Sequence, residues 1–167
     1  QLLDFLSKQP PCIVAMEACA SAHHWGRAIG SLGHEVRLIP PAYVKPFVKR
    51  QKNDMADAEA IAEAASRPTM RFVAVKSEGQ QAAMMANRTR DLLVRQRTQT
   101  INALRAHLAE QGILAPVGPA HVGRLAAVIY CDDGALPAVV RELAQLLLDQ
   151  IAGLSEKVAD LDAELRR

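Results

Sequence analysis

Apolar and polar positions divide the chain into short alternating elements followed by much longer helical stretches. Leu2, Leu3, Phe5 and Leu6 predict a helix that stops before Pro10-Pro11, and the apolar run Cys12-Ile13-Val14-Ala15-Met16, ended by Glu17, reads as a short buried strand. Trp25, Ala28, Ile29 and Leu32 form the next helical stripe, with Gly33 as its stop, and Glu35 to Ile39 reads as a second strand ended by Pro40-Pro41. In the alanine-rich segment Asp54 to Ser66, Ala58, Ile61, Ala62 and Ala65 have the spacing of one buried stripe, and Arg71 to Val75 is a third strand candidate. This alternation of helix and strand is an α/β signature.

The pattern then changes scale. Ser77 to Gly112 reads as one long helix offering Met85, Leu92, Leu93, Ile101, Leu104 and Leu108 for packing, and it is expected to leave the sheet domain. Gly112 to Pro119, with two prolines and two glycines, reads as a break. A short helix around His121 to Tyr130 and a turn at Cys131-Asp132-Asp133-Gly134 lead to a final segment. There Val140, Leu143, Leu147, Ile151, Leu154, Val158, Leu161 and Leu165 are spaced as a coiled-coil seam, a stripe that a return hairpin against the long helix would also use. The seam is still running at the last residues, so the chain is expected to be cut at its C-terminal end. The division expected is 1–76, a compact α/β part; 77–112, a long basic helix; 113–135, a hinge and short helix; and 136–167, the seam helix.

Composition narrows the class. At 167 residues the chain can bury a core; half its residues are apolar and only 4% aromatic, which favours helix-rich structure. Three cysteines, Cys12, Cys19 and Cys131, make no C-x-x-C pair and no even-numbered disulfide framework, which fits a reduced, cytoplasmic setting. No apolar run approaches a membrane span, and no basic segment with an apolar signal core opens the chain. Zinc-ligand spacing is absent, Gly26, Gly30 and Gly33 do not form a phosphate-cradling loop after a strand, and no serine lies in a nucleophile elbow. His23 and His24 are adjacent and point in different directions on a helix, as surface or packing residues do.

Net charge is only +2, so charge distribution carries the argument. Between Val36 and Asn53 the charged residues are Arg37, Lys45, Lys49, Arg50 and Lys52, all basic; Arg88, Arg90, Arg95, Arg97 and Arg105 share the long helix with Asp91 as the one acid from Arg88 to His107. Behind the first basic run stand Asp54 and Asp57, three apart and therefore on one helix face, where two carboxylates can share a divalent cation. Glu17 lies at a strand end, where ligand sites of open α/β sheets gather. Each acid has an ordinary alternative: Asp54 as a helix cap with Asp57 as the third-position acid, and Glu17 as a solvated strand end. Acids at a strand end and on a helix, with bases between, point to metal-dependent phosphodiester chemistry.

The motifs Met16-Glu17-Ala18-Cys19 with His24-Trp25, Leu38-Ile39-Pro40-Pro41, Lys49-Arg50-Gln51-Lys52-Asn53-Asp54-Met55-Ala56-Asp57-Ala58-Glu59-Ala60-Ile61, and Arg88-Thr89-Arg90-Asp91-Leu92-Leu93-Val94-Arg95-Gln96-Arg97 closely resemble the DEDD transposases of bacterial insertion sequences, relatives of the Piv-type invertases. The resemblance spans roughly residues 1 to 112, and the final helix is similar to the family's coiled-coil region. It implies a partial RNase H-like (RuvC-like) domain followed by long helices in a coiled coil or helical hairpin. It also implies four acids that bind Mg²⁺, or Mn²⁺ as a substitute, with Glu17, Asp54 and Asp57 matching the last three as catalytic and metal-binding residues. DNA and a structured guide RNA are the implied partners, with Lys45, Lys49, Arg50, Lys52, Arg88 and Arg95 as candidate contacts, together with self-association through residues 136–167. The family's first aspartate has no counterpart, because Asp4 falls in a helical pattern, and its C-terminal serine domain is not seen. The chain is therefore expected to be an internal fragment with an incomplete metal site, inactive alone. The competing expectation is a noncatalytic helical module that dimerises and binds nucleic acid.

Overall fold

A computed structural model describes residues 1–49, 53–131 and 136–166. It contains two compact units, Gln1–Gln81 and Ala82–Arg167.

The first unit is built on two parallel strands, β1 (Ile13–Glu17) and β2 (Glu35–Ile39), in register from Ile13 opposite Glu35 to Glu17 opposite Ile39. Parallel neighbours need a crossover, and α2 (Ala22–Gly30) supplies it. Strand side chains alternate between faces. Val36 points to α2, where Gly26 lets the helix come close to Val36 and Val75; a Cβ at Gly26 would lie 3.0 and 3.1 Å from the two Val75 methyls. Ala15 and Ile39 point the other way and pack with Ala60 and Ala64 of α4 (Asp54–Ala65), together with Val44 of the short α3 (Pro41–Val44) and Phe47 of the 3₁₀ turn Lys45–Phe47. Helices therefore cover both faces of the sheet, which bears out the α/β class. The small helix α1 (Leu2–Leu6) is tied in through His34, whose Nδ1 accepts the Cys12 amide proton at 3.2 Å while its Nε2 donates to the Leu6 carbonyl at 3.0 Å. Buried His34 is thus a packing residue with both ring nitrogens used.

Three expectations change. The third strand reduces to one antiparallel bridge, in which the Val73 amide donates to the Leu38 carbonyl at 2.7 Å; a single bond makes no ladder. The buried stripe of α4 runs through Ala60 and Ala64 with Ile61 and Ala65 partly covered, while Ala58 and Ala62 are exposed. A helix with alanine on almost every side has little apolar preference of its own, so its partners set which face is buried. Likewise α2 buries Ala22, Gly26 and Ile29 and ends before Gly33, while Leu32 is exposed.

The long helix α5 (Glu78–Ala109) opens in the first unit and supplies Ile101, Leu104 and Leu108 to the core of the second. That core is shared with Leu125 and Ile129 of α6 (Val122–Tyr130), which follows a 3₁₀ turn at Pro119–His121, with Leu136, and with Ala144, Leu148 and Ile151 of α7 (Ala138–Glu164). The hairpin alternative is the one adopted within this chain. An ion pair between Arg90 Nε and Asp162 Oδ1, 2.6 Å, joins α5 to the far end of α7, and Arg141 donates to the Ile129 and Cys131 carbonyls at the end of α6. The expected seam is displaced in the first half of α7. Ala144 and Leu148 are buried there, while Leu143 and Leu146 are 59% and 61% exposed, because α6 packs on that helix and selects its side. From Asp132 to Gly134 the predicted turn lies outside the described residues.

Candidate metal and nucleic-acid site

Asn53 decides the role of the acid pair. Its side-chain Oδ1 accepts the Ala56 amide at 2.8 Å and its carbonyl accepts the Asp57 amide at 3.0 Å, so Asn53 is the N-cap and α4 begins at Asp54. The capping alternative for Asp54 is thereby replaced. Asp54 stands exposed at the first helical position, and Asp57, one turn on, is half-buried at the head of the stripe that continues through Ala60, Ile61 and Ala64. Both carboxylates lie in the first turn, where the unpaired amides and the helix dipole favour negative charge.

Glu17 ends β1, half-buried, with its backbone opposite Ile39. By strand alternation it shares the sheet face of Ala15, the face on which α4 packs. Glu17 thus lies on the sheet face that α4 covers, and Asp54 and Asp57 lie in the first turn of that helix. They do not close into a cage. Among the described residues, no three His, Cys, Asp or Glu side chains are grouped closely enough to hold an ion, so the acids present do not by themselves fit a complete metal centre.

The basic candidates separate by what they touch. Lys45 is exposed in the 3₁₀ turn; Lys49 is exposed and ion-paired with Glu59, whose hydrogen bond and charge push the ammonium pKa above its ordinary value. Arg50 and Lys52 lie outside the described residues. In the second unit Arg88 and Arg95 are exposed on α5, seven positions apart and so on one helix face, whereas Arg90 is committed to Asp91 and Asp162. Arg105 donates to the Ala115 carbonyl from two guanidinium nitrogens, at 3.2 and 3.0 Å, and holds the loop after α5. Five arginines that look alike in sequence therefore include at least two with structural work. Sequence reasoning missed Asn53, although Asn before an acid-rich helical start is a cap signal.

Residues 1–112 match a family model described as a transposase, of the DEDD type of IS110. Similar proteins include the transposase of insertion sequence element IS1328 from Yersinia enterocolitica, 47% identical over 166 residues, covering 99% of this chain and 49% of that protein. The transposase of element IS1111A from Coxiella burnetii is 40% identical over 157 residues, covering 93% of this chain and 43% of that protein. The chain spans about half the length of the curated relatives it matches. No solved structure matches it. The chain belongs to the DEDD transposase family of the IS110 type. Among the described residues, no helix is long and apolar enough to cross a membrane.

Proposed function

We propose that this chain supplies part of the catalytic domain of a DNA transposase. In this reading the first unit is a portion of an RNase H-like (RuvC-like) domain, and Glu17, Asp54 and Asp57 provide ligands for Mg²⁺, with Mn²⁺ as a substitute. The ion supports DNA strand cleavage in the whole transposase, working on DNA in the cytoplasm. What supports the reading is the pair Asp54 and Asp57 in one helical turn already capped by Asn53, in a helix that packs on the sheet face carrying Glu17, within the family-matched segment. Two carboxylates on one face of a helical turn can share a divalent cation. Since the three acids form no closed group, the domain is incomplete as an ion site and inactive alone in this reading.

Lys45, Lys49, Arg50, Lys52, Arg88 and Arg95 are the proposed DNA contacts, a structured guide RNA is the proposed second partner, and residues 136–167 are the proposed self-association element. The exposed side of α7 bearing Val139, Leu143 and Leu146 is the side left for that last role. The competing reading, a noncatalytic helical module that binds nucleic acid, draws its support from the fact that, among the described residues, these acids do not gather closely enough to hold an ion.

Thermal unfolding with and without Mn²⁺ separates them. Saturation at a hundred times the dissociation constant stabilises a folded protein by about 2.7 kcal/mol. A wild-type chain raised in melting temperature by Mn²⁺, with the rise abolished in Asp54→Ala, supports the metal reading. Indifference of the wild-type chain to Mn²⁺ overturns ion binding by Glu17, Asp54 and Asp57 in this chain.

A further inference from the structure

Beside α3 and its following turn lies an open hollow of about 520 Å³ walled by Tyr43, Phe47, Arg67, Thr69 and Arg71 among others. Its volume is in the range of small-ligand sites, about 300–1,000 Å³. One of the chain's two tyrosines and one of its three phenylalanines stand in its wall, in a sequence poor in aromatic residues. The two rings are held differently. Phe47 packs into the core of the first unit, and the Arg67 guanidinium lies over its ring, 5.5 Å from the centroid, anchored from behind by an ion pair with Glu63. Tyr43 leaves 46% of its surface open. Arg71 is exposed and makes no hydrogen bond or ion pair with another described residue. Among the described residues, no carboxylate lines the hollow.

An exposed tyrosine ring, a guanidinium with no partner among the described residues and a hydroxyl within one hollow match the parts of a nucleotide: a base to stack, a phosphate to neutralise and a sugar or base edge to hydrogen-bond. We propose that this hollow is a subsite for one unpaired nucleotide of a single strand, with the base on the Tyr43 ring and the phosphate on Arg71. Duplex is excluded from the subsite, since the base faces of paired strands are already covered by their neighbours. The proposal rests on the nucleic-acid reading above and adds to it a position, a strand state and two residues outside the acid pair and the basic run.

The test uses the whole chain and dye-labelled oligothymidylate, an abasic strand of equal length, and oligouridylate, read by fluorescence anisotropy. Tyr43→Ala is expected to weaken oligothymidylate about tenfold while Tyr43→Phe stays within about twofold of wild type. Tyr43→Ala leaves the abasic strand unchanged, because that strand has nothing to stack. Arg71→Ala, a surface change that spares the core, weakens both strands and lowers the salt dependence by about one phosphate contact. Whichever of oligothymidylate and oligouridylate binds more tightly names the natural strand, and ring dependence with either supports the subsite. Equal affinity of wild type and Tyr43→Ala for oligothymidylate, or an equal loss on the abasic strand, overturns it while leaving the transposase reading intact. A wild-type chain that binds none of the strands but still binds duplex DNA refutes the subsite alone, and one that binds neither refutes the nucleic-acid contacts as well.

Discussion

Replacing Asn53 and Asp54 one at a time separates the cap of α4 from its acid. Asn53→Ala removes the 2.8 Å bond to the Ala56 amide and leaves that donator without its side-chain partner in the first turn. Loss of such a cap costs about 1 kcal/mol. Asp54→Ala removes only a carboxylate at an exposed first position: the lost dipole interaction costs about 0.3–1 kcal/mol, and relief of repulsion with Asp57 offsets part of it. In metal-free buffer, then, Asn53→Ala should be the more damaging of the two. The first unit has 81 residues, a size at which 1 kcal/mol moves the melting temperature by about 4–8 °C. Differential scanning calorimetry of both variants with chelator present gives the comparison directly. An Asp54→Ala chain that melts as low as Asn53→Ala, or lower, would refute the assignment of the cap to Asn53 and return Asp54 to a structural role.

Three further outcomes follow from the packing and the titration of the chain. Gly26→Ala should destabilise the first unit by about 1–3 kcal/mol through overpacking, and Val75→Ala should recover part of the loss, because the new Cβ meets the Val75 methyls at 3.0 and 3.1 Å; an unchanged urea midpoint in Gly26→Ala would contradict the close approach. His23 accepts the Lys76 amide at its Nδ1, and partial burial, with the charges of Lys76 and Arg27, holds its pKa below the ordinary 6.5. A depressed folded-state pKa means stability fully present above 6.5 and lost as pH falls toward the folded value, so the melting temperature should drop on acidification through that window and drop less in His23→Gln. Leu143→Glu with Leu146→Glu should leave the fold intact, since both side chains are exposed, and should dissociate any self-associated form in sedimentation; a wild-type chain that is already monomeric removes α7 as the association element.

The elements themselves were legible from sequence because strong local signals bound them. Pro10-Pro11 and Pro40-Pro41 end helix and strand patterns, the apolar run at residues 13–16 is too short for a buried helix, and the long helix from Glu78 has no internal breaker strong enough to interrupt it. The acids were also legible as candidates, since a three-residue spacing fixes a shared helix face wherever the helix goes. Membership in the transposase family rested on the same contiguous motifs.

Which face is buried was a different matter, because an apolar stripe states what can be covered and leaves the covering partner open. The alanine helix α4 offers nearly equivalent sides, and Ile39, Val44 and Phe47 select Ala60 and Ala64 over Ala58 and Ala62. In α7, leucines on more than one side permit either a seam between copies or a core within the chain; α6 takes the side of Ala144 and Leu148 and leaves Leu143 outside. The same holds for charge. Arg90 and Arg105 are indistinguishable from Arg88 and Arg95 in sequence, and only distant partners, Asp162 and the Ala115 carbonyl, commit the first pair to holding the fold. Local covalent order thus determined the elements and the chemistry they carry, while burial and ion pairing, which depend on residues far apart in the chain, were decided by tertiary packing.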